Sequence, residues 1–533
     1  MSSNNSNNNV INTNSNDKPL GFIVGESYPY RFSFIAYRPV SVGEYVVVTT
    51  SDNRSILGLV ENSSIKSSIL ASVSNYLAAY EGKRIAERNE RDKSYQATVR
   101  VLGYIDDLAK GIVTIPSTPP EPGSTVLEAS MDDLKVFSVN DYRWASIGTL
   151  LRNSRVKVYV NIDKIASRHL AILSVTGGGK SNLLALIAKR VAERNGTMVI
   201  FDYHGEYSDL SISNVNHIKA RINPRFIHDA EELADLLEVK ENASVQRDIL
   251  SKALTDDVRH AEDFWSALRA SIDNIKGIEE GKQSSKRNPQ IIRAAERLQS
   301  IIDSAVRRLG SLFDTSSSEP LNLLKPNMVN ILDMIEFSEK QADVAIAYYL
   351  EEILEDRKRA ERAKRLDRMQ NISEMVRFKS PVICAIEEAH VFLPNKVDVY
   401  TDTKYIASKI AREGRKFGVS LIIVSQRPRR LDPDVLSQMG SLAILRLTNP
   451  EDQRYINESS EIVSRELLEY LPSLNVGEAI LVGQWVNIPS IVKVEKVEEK
   501  RAGEDISAVD EWRDRYRYAN IAREDTKELI DDE

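Results

Sequence analysis

Short apolar runs follow one another from Gly21 to about Arg100, as in Gly43-Glu44-Tyr45-Val46-Val47-Val48 and Ser55-Ile56-Leu57-Gly58-Leu59-Val60. Turn residues such as Ser51-Asp52-Asn53 punctuate them. Strands of this length with this punctuation predict a small antiparallel barrel or sandwich, assigned to 18–115. The stretch Ile65 to Glu81 reads as a helix interrupting it, and Tyr95 to Ile105 resumes the strand pattern. A proline-rich segment, Ile115 to Gly123, then opens a linker and bridge over 116–167.

The period changes at Arg168. Apolar runs now alternate with helical spacing, which predicts a parallel sheet covered by helices. The expected strands are His169–Ser174, Thr197–Asp202, Met328–Asp333, Pro381–Ile386, Val419–Val424, Leu442–Leu447 and Glu478–Gly483. This core is assigned to 168–226 and 313–496. The interval 227–312 is rich in Ala, Leu, Glu, Lys and Arg at helical spacing, so a small helical bundle is expected there. Ser338 to Arg365 reads as one long helix, with the charged end Glu355 to Arg365 as a solvated face. The Ser/Asn-rich tail 1–17 is expected to be disordered, and 497–533 forms a charged extension.

Composition narrows the class without deciding it. A chain of 533 residues, 42% hydrophobic and 28% charged, is long enough for several soluble domains. No run of about 18 apolar residues occurs, so no membrane span is expected. The lone cysteine, Cys384, lies in an apolar strand and reads as a buried small hydrophobe. With no internal disulfide and no secretion signal, a cytoplasmic setting is expected. A net charge of −7 argues against a basic coat for wrapping nucleic acid, but leaves room for a local basic channel.

The chemistry concentrates where strands end. Ser174-Val175-Thr176-Gly177-Gly178-Gly179-Lys180-Ser181 stands between an apolar strand and a helical pattern. Strand, glycine-rich turn, Lys-Ser and helix is the layout of a phosphate-binding loop. Glycines let successive N–H groups face a phosphate, the helix N-terminus adds partial positive charge and Lys180 a full one. Ser181 would place its hydroxyl on magnesium. The usual first glycine of the pattern is Ser174 here.

Val382 to Ile386 ends in Glu387-Glu388. At the carboxyl edge of a sheet, Glu387 is placed for the magnesium shell and Glu388 for the attacking water. Paired acids after a strand also suit a helix N-terminus. Gln426, after the next strand, is the candidate γ-phosphate sensor. Arg412 and Arg415 are candidates for an arginine supplied to a neighbouring subunit's site, or else surface salt bridges. Spaced three apart on one helix, they would share a face. Arg168 is a further phosphate-site candidate. Asp202 and Glu206 fall at the same expected edge. Asn395-Lys396 and Arg427, Arg429 and Arg430 are ordinary surface residues by default, and contacts to nucleic acid if the chain grips it. His204 and His390 lack metal-ligand spacing.

Taken together, these motifs resemble the HerA family of the HerA–FtsK branch of P-loop ATPases. The carriers are Arg168 to Leu173 leading into Thr176-Gly177-Gly178-Gly179-Lys180-Ser181-Asn182, Asp202 to Tyr207, Glu387-Glu388-Ala389-His390, Ala411 to Lys416, Ser425-Gln426-Arg427-Pro428 and Leu474 to Ala479. The resemblance implies an α/β fold: a RecA-like P-loop ATPase core with an N-terminal small β-barrel and an inserted helical bundle. It implies ATP and Mg2+ as cofactors, with Thr176 to Asn182 on the nucleotide. A C-terminal segment, here Ile488 and Pro489, would also approach it. It further implies a homohexameric ring that moves on double-stranded DNA with a NurA-type nuclease on the barrel, resecting ends for homologous recombination. Two other readings remain at this stage: a nucleotide-bound scaffold for a nuclease, and a secretion- or conjugation-type pumping ATPase.

Overall fold

The computed structural model describes residues 19–88, 92–139, 141–227, 229–240, 242–282, 287–365, 376–396, 399, 401–460, 463–500, 509 and 512–513. The tail 1–17 and nearly all of 501–533 lie outside the described residues.

Six strands close into a barrel: β1 (Gly21–Tyr28), β2 (Arg31–Ala36), β3 (Tyr45–Thr49), β4 (Ser55–Ser67), β5 (Lys93–Tyr104) and β6 (Thr125–Glu128), in the order β1-β2-β5-β4-β3-β6. Inward positions alternate along each strand, so Ile23, Phe32, Phe34, Val46, Val48, Ile56, Val60, Val99 and Val126 fill the interior. The opposite faces of β3 and β4 are also buried. Tyr45, Val47, Leu57 and Leu59 pack into the main core, which is why Tyr45-Val46-Val47-Val48 is apolar at every position. The sequence expectation needs two corrections here. Residues 65–67 belong to β4, and the helix begins only at Tyr76 and runs to Arg88. The barrel also closes with β6, beyond residue 115, because β6 bonds to both β1 and β3.

Eleven further strands form one sheet: β7 (Trp144–Leu150), β8 (Asn153–Asn161), β9 (Leu170–Leu173), β10 (Thr197–Asp202), β11 (Val215–Lys219), β12 (Val329–Asp333), β13 (Val382–Ile386), β14 (Val419–Ser425), β15 (Ser441–Ile444), β16 (Glu478–Gly483) and β17 (Ser490–Val494). Their order is β11-β12-β10-β13-β14-β9-β15-β16-β17-β7-β8. The strands from β11 to β15 run parallel, and those from β16 to β8 are antiparallel. The sheet is therefore mixed, and the expected bridge 116–167 supplies two of its strands. β14 lies between β9 and β13, so the strand carrying the carboxylates is one place removed from the strand carrying the phosphate loop.

Within 227–312 the described helices are Ala230–Leu236, Ser244–Ala253, Asp256–His260, Phe264–Glu280 and Pro289–Arg308. Side-chain caps fix several starts, including Asp263 on the Ser266 N–H and Asn288 on the Gln290 N–H. The long helix runs Glu339–Arg365, but its charged end is not wholly solvated. Asp356 and Arg357 are buried. Arg357 donates to the carbonyls of Phe417 and Phe378, and Asp356 accepts the N–H groups of Arg377 and Phe378. Both buried charges are hydrogen-bonded, as burial demands. Cys384 is buried as expected, and burial pushes its thiol up to about 12.

Candidate nucleotide site

β9 ends at Leu173 and the chain turns at once. Ser174 N–H donates to Ser425 O (3.2 Å) and Val175 N–H to Arg446 O (3.0 Å), so the loop hangs from both neighbouring strands. Gly177 and Gly179 hold φ values of 71° and 106°, the left-handed region open to glycine. Gly178 is required for a different reason: a Cβ there would sit 2.0 Å from Ser174 Oγ. Ser174 thus occupies the space its hydroxyl needs and does not distort the turn. The helix Lys180–Ala192 begins directly after it. Lys180 is buried, with its ammonium 3.3 Å from Val175 O.

The carboxylates gather beside this loop. The Ser181 hydroxyl donates to Glu206 Oε2. Asp202, at the end of β10, accepts the N–H groups of Glu206 and Tyr207 at 2.9 Å each, and so shapes the turn that presents them. Burial, against those hydrogen bonds, pushes Asp202 up to about 6. Tyr207 Oη donates to Glu387 Oε1 at 2.6 Å. Burial, then the charge of Glu206, pushes Glu387 up to about 8. Among the described residues no three His, Cys, Asp or Glu side chains form a metal cage by themselves. Magnesium bound mainly by one hydroxyl, water and substrate phosphates needs no such cage. Crowded carboxylates beside the Ser181 hydroxyl, with Glu387 raised by burial and then by the charge of Glu206, fit that kind of site.

Glu388 differs from its neighbour. Its backbone takes φ 46°, ψ 41°, a left-handed conformation that costs a side-chain-bearing residue about 1–3 kcal/mol. The turn aims the carboxylate at the loop side. Burial pushes its pKa up, but the His390 imidazole and the charges of Lys180 and His204 outweigh this, and Glu388 lies below the usual range. Glu388 Oε2 approaches His390 Nδ1 to 3.1 Å as an ion pair, without aligned hydrogen-bond geometry. Apart from that ion pair the buried oxygen makes no hydrogen bond. His390 is itself held by Ser425 Oγ at 3.3 Å. Gln426 Oε1 accepts from Thr176 Oγ1, joining the sensor candidate to the phosphate loop.

The structure therefore brings together Thr176, Gly177, Gly178, Gly179, Lys180, Ser181, Glu387, Glu388 and Gln426. It separates others. Arg168 precedes β9, and four residues of β9, roughly 13 Å at about 3.3 Å per residue, lie between it and the loop. Arg412 and Arg415 precede β14, which is parallel to β9, and so lie at the same amino edge. They are also not on one helix: the α-helix ends at Glu413 and Arg415 sits in a following 3-10 turn. Both are exposed. None of the three arginines can serve the phosphate loop of its own chain.

Ile488 and Pro489 are likewise misplaced for their own loop. β16 runs antiparallel to β15, pairing Gly483 with Ser441, so the turn after it falls at the amino edge. Ile488 is buried there, and Pro489 O accepts from the Tyr45 hydroxyl of the barrel at 3.4 Å. The C-terminal stretch that does touch the loop lies elsewhere. Gly477 N–H donates to Gly178 O at 3.2 Å. Asn182 spends its side chain holding this region, donating to Glu495 O and accepting from Val497 N–H at 2.9 Å each. Tyr207, Gly477 and the 495–497 segment were not singled out as site residues from sequence. The motifs Asp202 to Tyr207 and Leu474 to Ala479 contained the first two, and nothing marked the third.

A phosphate loop on a parallel sheet, an intervening strand and a strand-end glutamate define a P-loop ATPase core. Residues 145–353 match the family model "Helicase HerA, central domain", and residues 20–107 match the "HAS barrel domain". The DNA double-strand break repair helicase HerA of Saccharolobus solfataricus is 35% identical over 504 residues, covering 93% of this chain and 95% of that protein. Its namesake from Pyrococcus furiosus is 34% identical, covering 92% of this chain and 96% of that protein. The chain belongs to the HerA helicase family. Among solved structures, the plasmid coupling protein TrwB bound to a non-hydrolysable ATP analogue aligns with a TM-score of 0.46 at 16% identity, covering 71% of this chain and 95% of that one.

Proposed function

We propose that this chain is an ATP-driven motor that moves along double-stranded DNA as a homohexameric ring. In this reading it works with a NurA-type nuclease to resect DNA ends for recombinational repair, in the cytoplasm. Its relatives in Saccharolobus solfataricus and Pyrococcus furiosus are DNA double-strand break repair helicases, which supports the DNA substrate. No helix among the described residues is long and apolar enough to cross a membrane.

The observation that carries the reading is Glu388: a strained, buried carboxylate paired with His390 and held below the usual carboxylate range by it and by the charge of Lys180. A scaffold that only holds nucleotide has no use for such a group. The loop N–H groups and Lys180 bind the phosphates. Glu388 takes the proton of the attacking water, as an ionised carboxylate within the site. Gln426, tied to Thr176, orients the water or reads the γ-phosphate. Ser181 and Glu387, with Glu206, would hold magnesium, which supplies charge neutralisation to the phosphates when bound.

Arg168, Arg412 and Arg415 stand at the edge opposite their own loop, which suits arginines supplied across a subunit interface. The loops after β13 and β14 would face the DNA. Asn395 N–H donates to Arg430 O at 2.7 Å, so Lys396, Arg427 and Arg430 share one surface. Arg429 is paired with Glu451 and is the weaker contact candidate. The test is displacement of streptavidin from an internally biotinylated duplex. Displacement that needs ATP hydrolysis supports a translocase, and DNA binding with no displacement under any nucleotide condition rejects it.

A further inference from the structure

The helix Pro289–Arg308 carries four arginines and two carboxylates in a chain whose net charge is −7. Arg293, Arg297, Ser300, Ser304 and Arg307 are all exposed. At 3.6 residues per turn they fall within an arc of about 80°, forming one stripe about 21 Å long at 1.5 Å per residue. The two carboxylates flank the stripe but are already engaged. Glu296 pairs with Lys276 and Asp303 with Arg269, each at 2.8 Å on the adjacent helix Phe264–Glu280. The fourth arginine, Arg308, pairs with Glu238 at 2.9 Å. Among the described residues Arg293, Arg297 and Arg307 have no ion pair. The bundle's own packing therefore neutralises the acids and leaves the three arginines unneutralised.

We propose that this stripe is a second contact for the phosphate backbone of duplex DNA, outside the loops of the ATPase core. This rests on the translocase reading above. Arg293 and Arg297 are about 6 Å apart along the helix axis, a spacing that lets successive guanidinium groups take phosphates along one strand. Ser300 and Ser304 keep the middle of the stripe low and offer hydroxyl donors, which commonly contact phosphate oxygens. No base-reading geometry is involved, so the contact is indifferent to sequence. The bundle leaves the sheet after β11, whose end lies at the carboxyl edge with the nucleotide crevice.

The experiment is duplex binding by the full chain, read by fluorescence anisotropy over a salt series. The variants are a triple Arg293→Ala/Arg297→Ala/Arg307→Ala, a triple with Lys at the same positions, and Arg308→Ala. The alanine triple is expected to lose on the order of tenfold or more in affinity near 0.1 M salt. Its log–log salt slope should flatten by about 0.9 for each phosphate contact removed. The lysine triple should keep the slope and Arg308→Ala should match wild type, with DNA-free ATP hydrolysis unchanged in all. Equal slope and affinity in the alanine triple overturn the stripe while leaving the motor reading intact. Wild-type protein that binds no duplex at any salt overturns both.

Discussion

Tyr207 Oη donates a 2.6 Å hydrogen bond to Glu387 Oε1, joining the turn after β10 to the end of β13. The two strands are neighbours in parallel register, Phe201 beside Ile386, so the bond spans adjacent strand ends. Among the described residues it is the one hydrogen bond to a carboxylate that burial pushes up to about 8. Tyr207→Phe removes the donor and leaves a buried acceptor open, which costs about 1–3 kcal/mol. The variant should unfold at lower temperature than wild type and need more magnesium for half-maximal ATP hydrolysis. Unchanged values for both would show that the bond does not hold Glu387.

Gln426 is tied to the phosphate loop only through Thr176. Gln426→Ala should therefore leave ATP binding near wild type while lowering kcat by roughly 10²-fold, the cost typical of one lost transition-state donor. Nucleotide titration and single-turnover hydrolysis separate the two quantities. A parallel loss of binding would place Gln426 in ground-state recognition.

The separation of Arg412 and Arg415 from their own loop predicts complementation. A double Arg412→Ala/Arg415→Ala chain keeps an intact phosphate loop and Glu388. A Glu388→Gln chain keeps the arginines. Each alone should be inactive, and mixed rings should regain hydrolysis at interfaces that combine an intact half from each. No recovery after verified subunit mixing would mean that the arginines do not act across the interface.

A pH effect should arise far from the site. Burial, then the charges of Glu352 and Glu351 on the facing long helix and of Asp229 on its own element, pushes Glu232 up to about 8. An ordinary unfolded glutamate titrates near 4.3, so the folded state binds the extra proton between about pH 4.3 and 8. The stabilisation is complete below that window and is lost as pH rises through it. Glu232→Gln should melt higher than wild type at pH 8.5 and converge with it near pH 4.5. Thermal unfolding at the two pH values measures this.

The phosphate loop, Glu387, Glu388 and Gln426 were legible because each follows an apolar strand, and parallel strands deliver their ends to one edge. The seven strands expected in the core are all present, two of them, Thr197–Asp202 and Glu478–Gly483, with the expected ends. What escaped depended on partners distant in sequence. β6 is four residues long and acquires its role only by pairing with β1 and β3. The antiparallel direction of β16 reverses which edge Ile488 and Pro489 occupy, and no local pattern encodes that reversal. Arg168 reads as near the loop because it is near in sequence, yet a strand's length intervenes. The buried Asp356 and Arg357 look like any charged helix end until the carbonyls of Phe378 and Phe417 arrive beside them.

The most direct test of the account is ATP turnover by purified wild type and Glu388→Gln, each with and without double-stranded DNA. The account predicts that DNA raises the wild-type rate. It predicts that Glu388→Gln still binds ATP but hydrolyses it about 10²–10⁴-fold more slowly, the contribution of a general base. Hydrolysis by Glu388→Gln at the wild-type rate, or a wild-type rate indifferent to DNA even with the proposed NurA-type nuclease added, would contradict it.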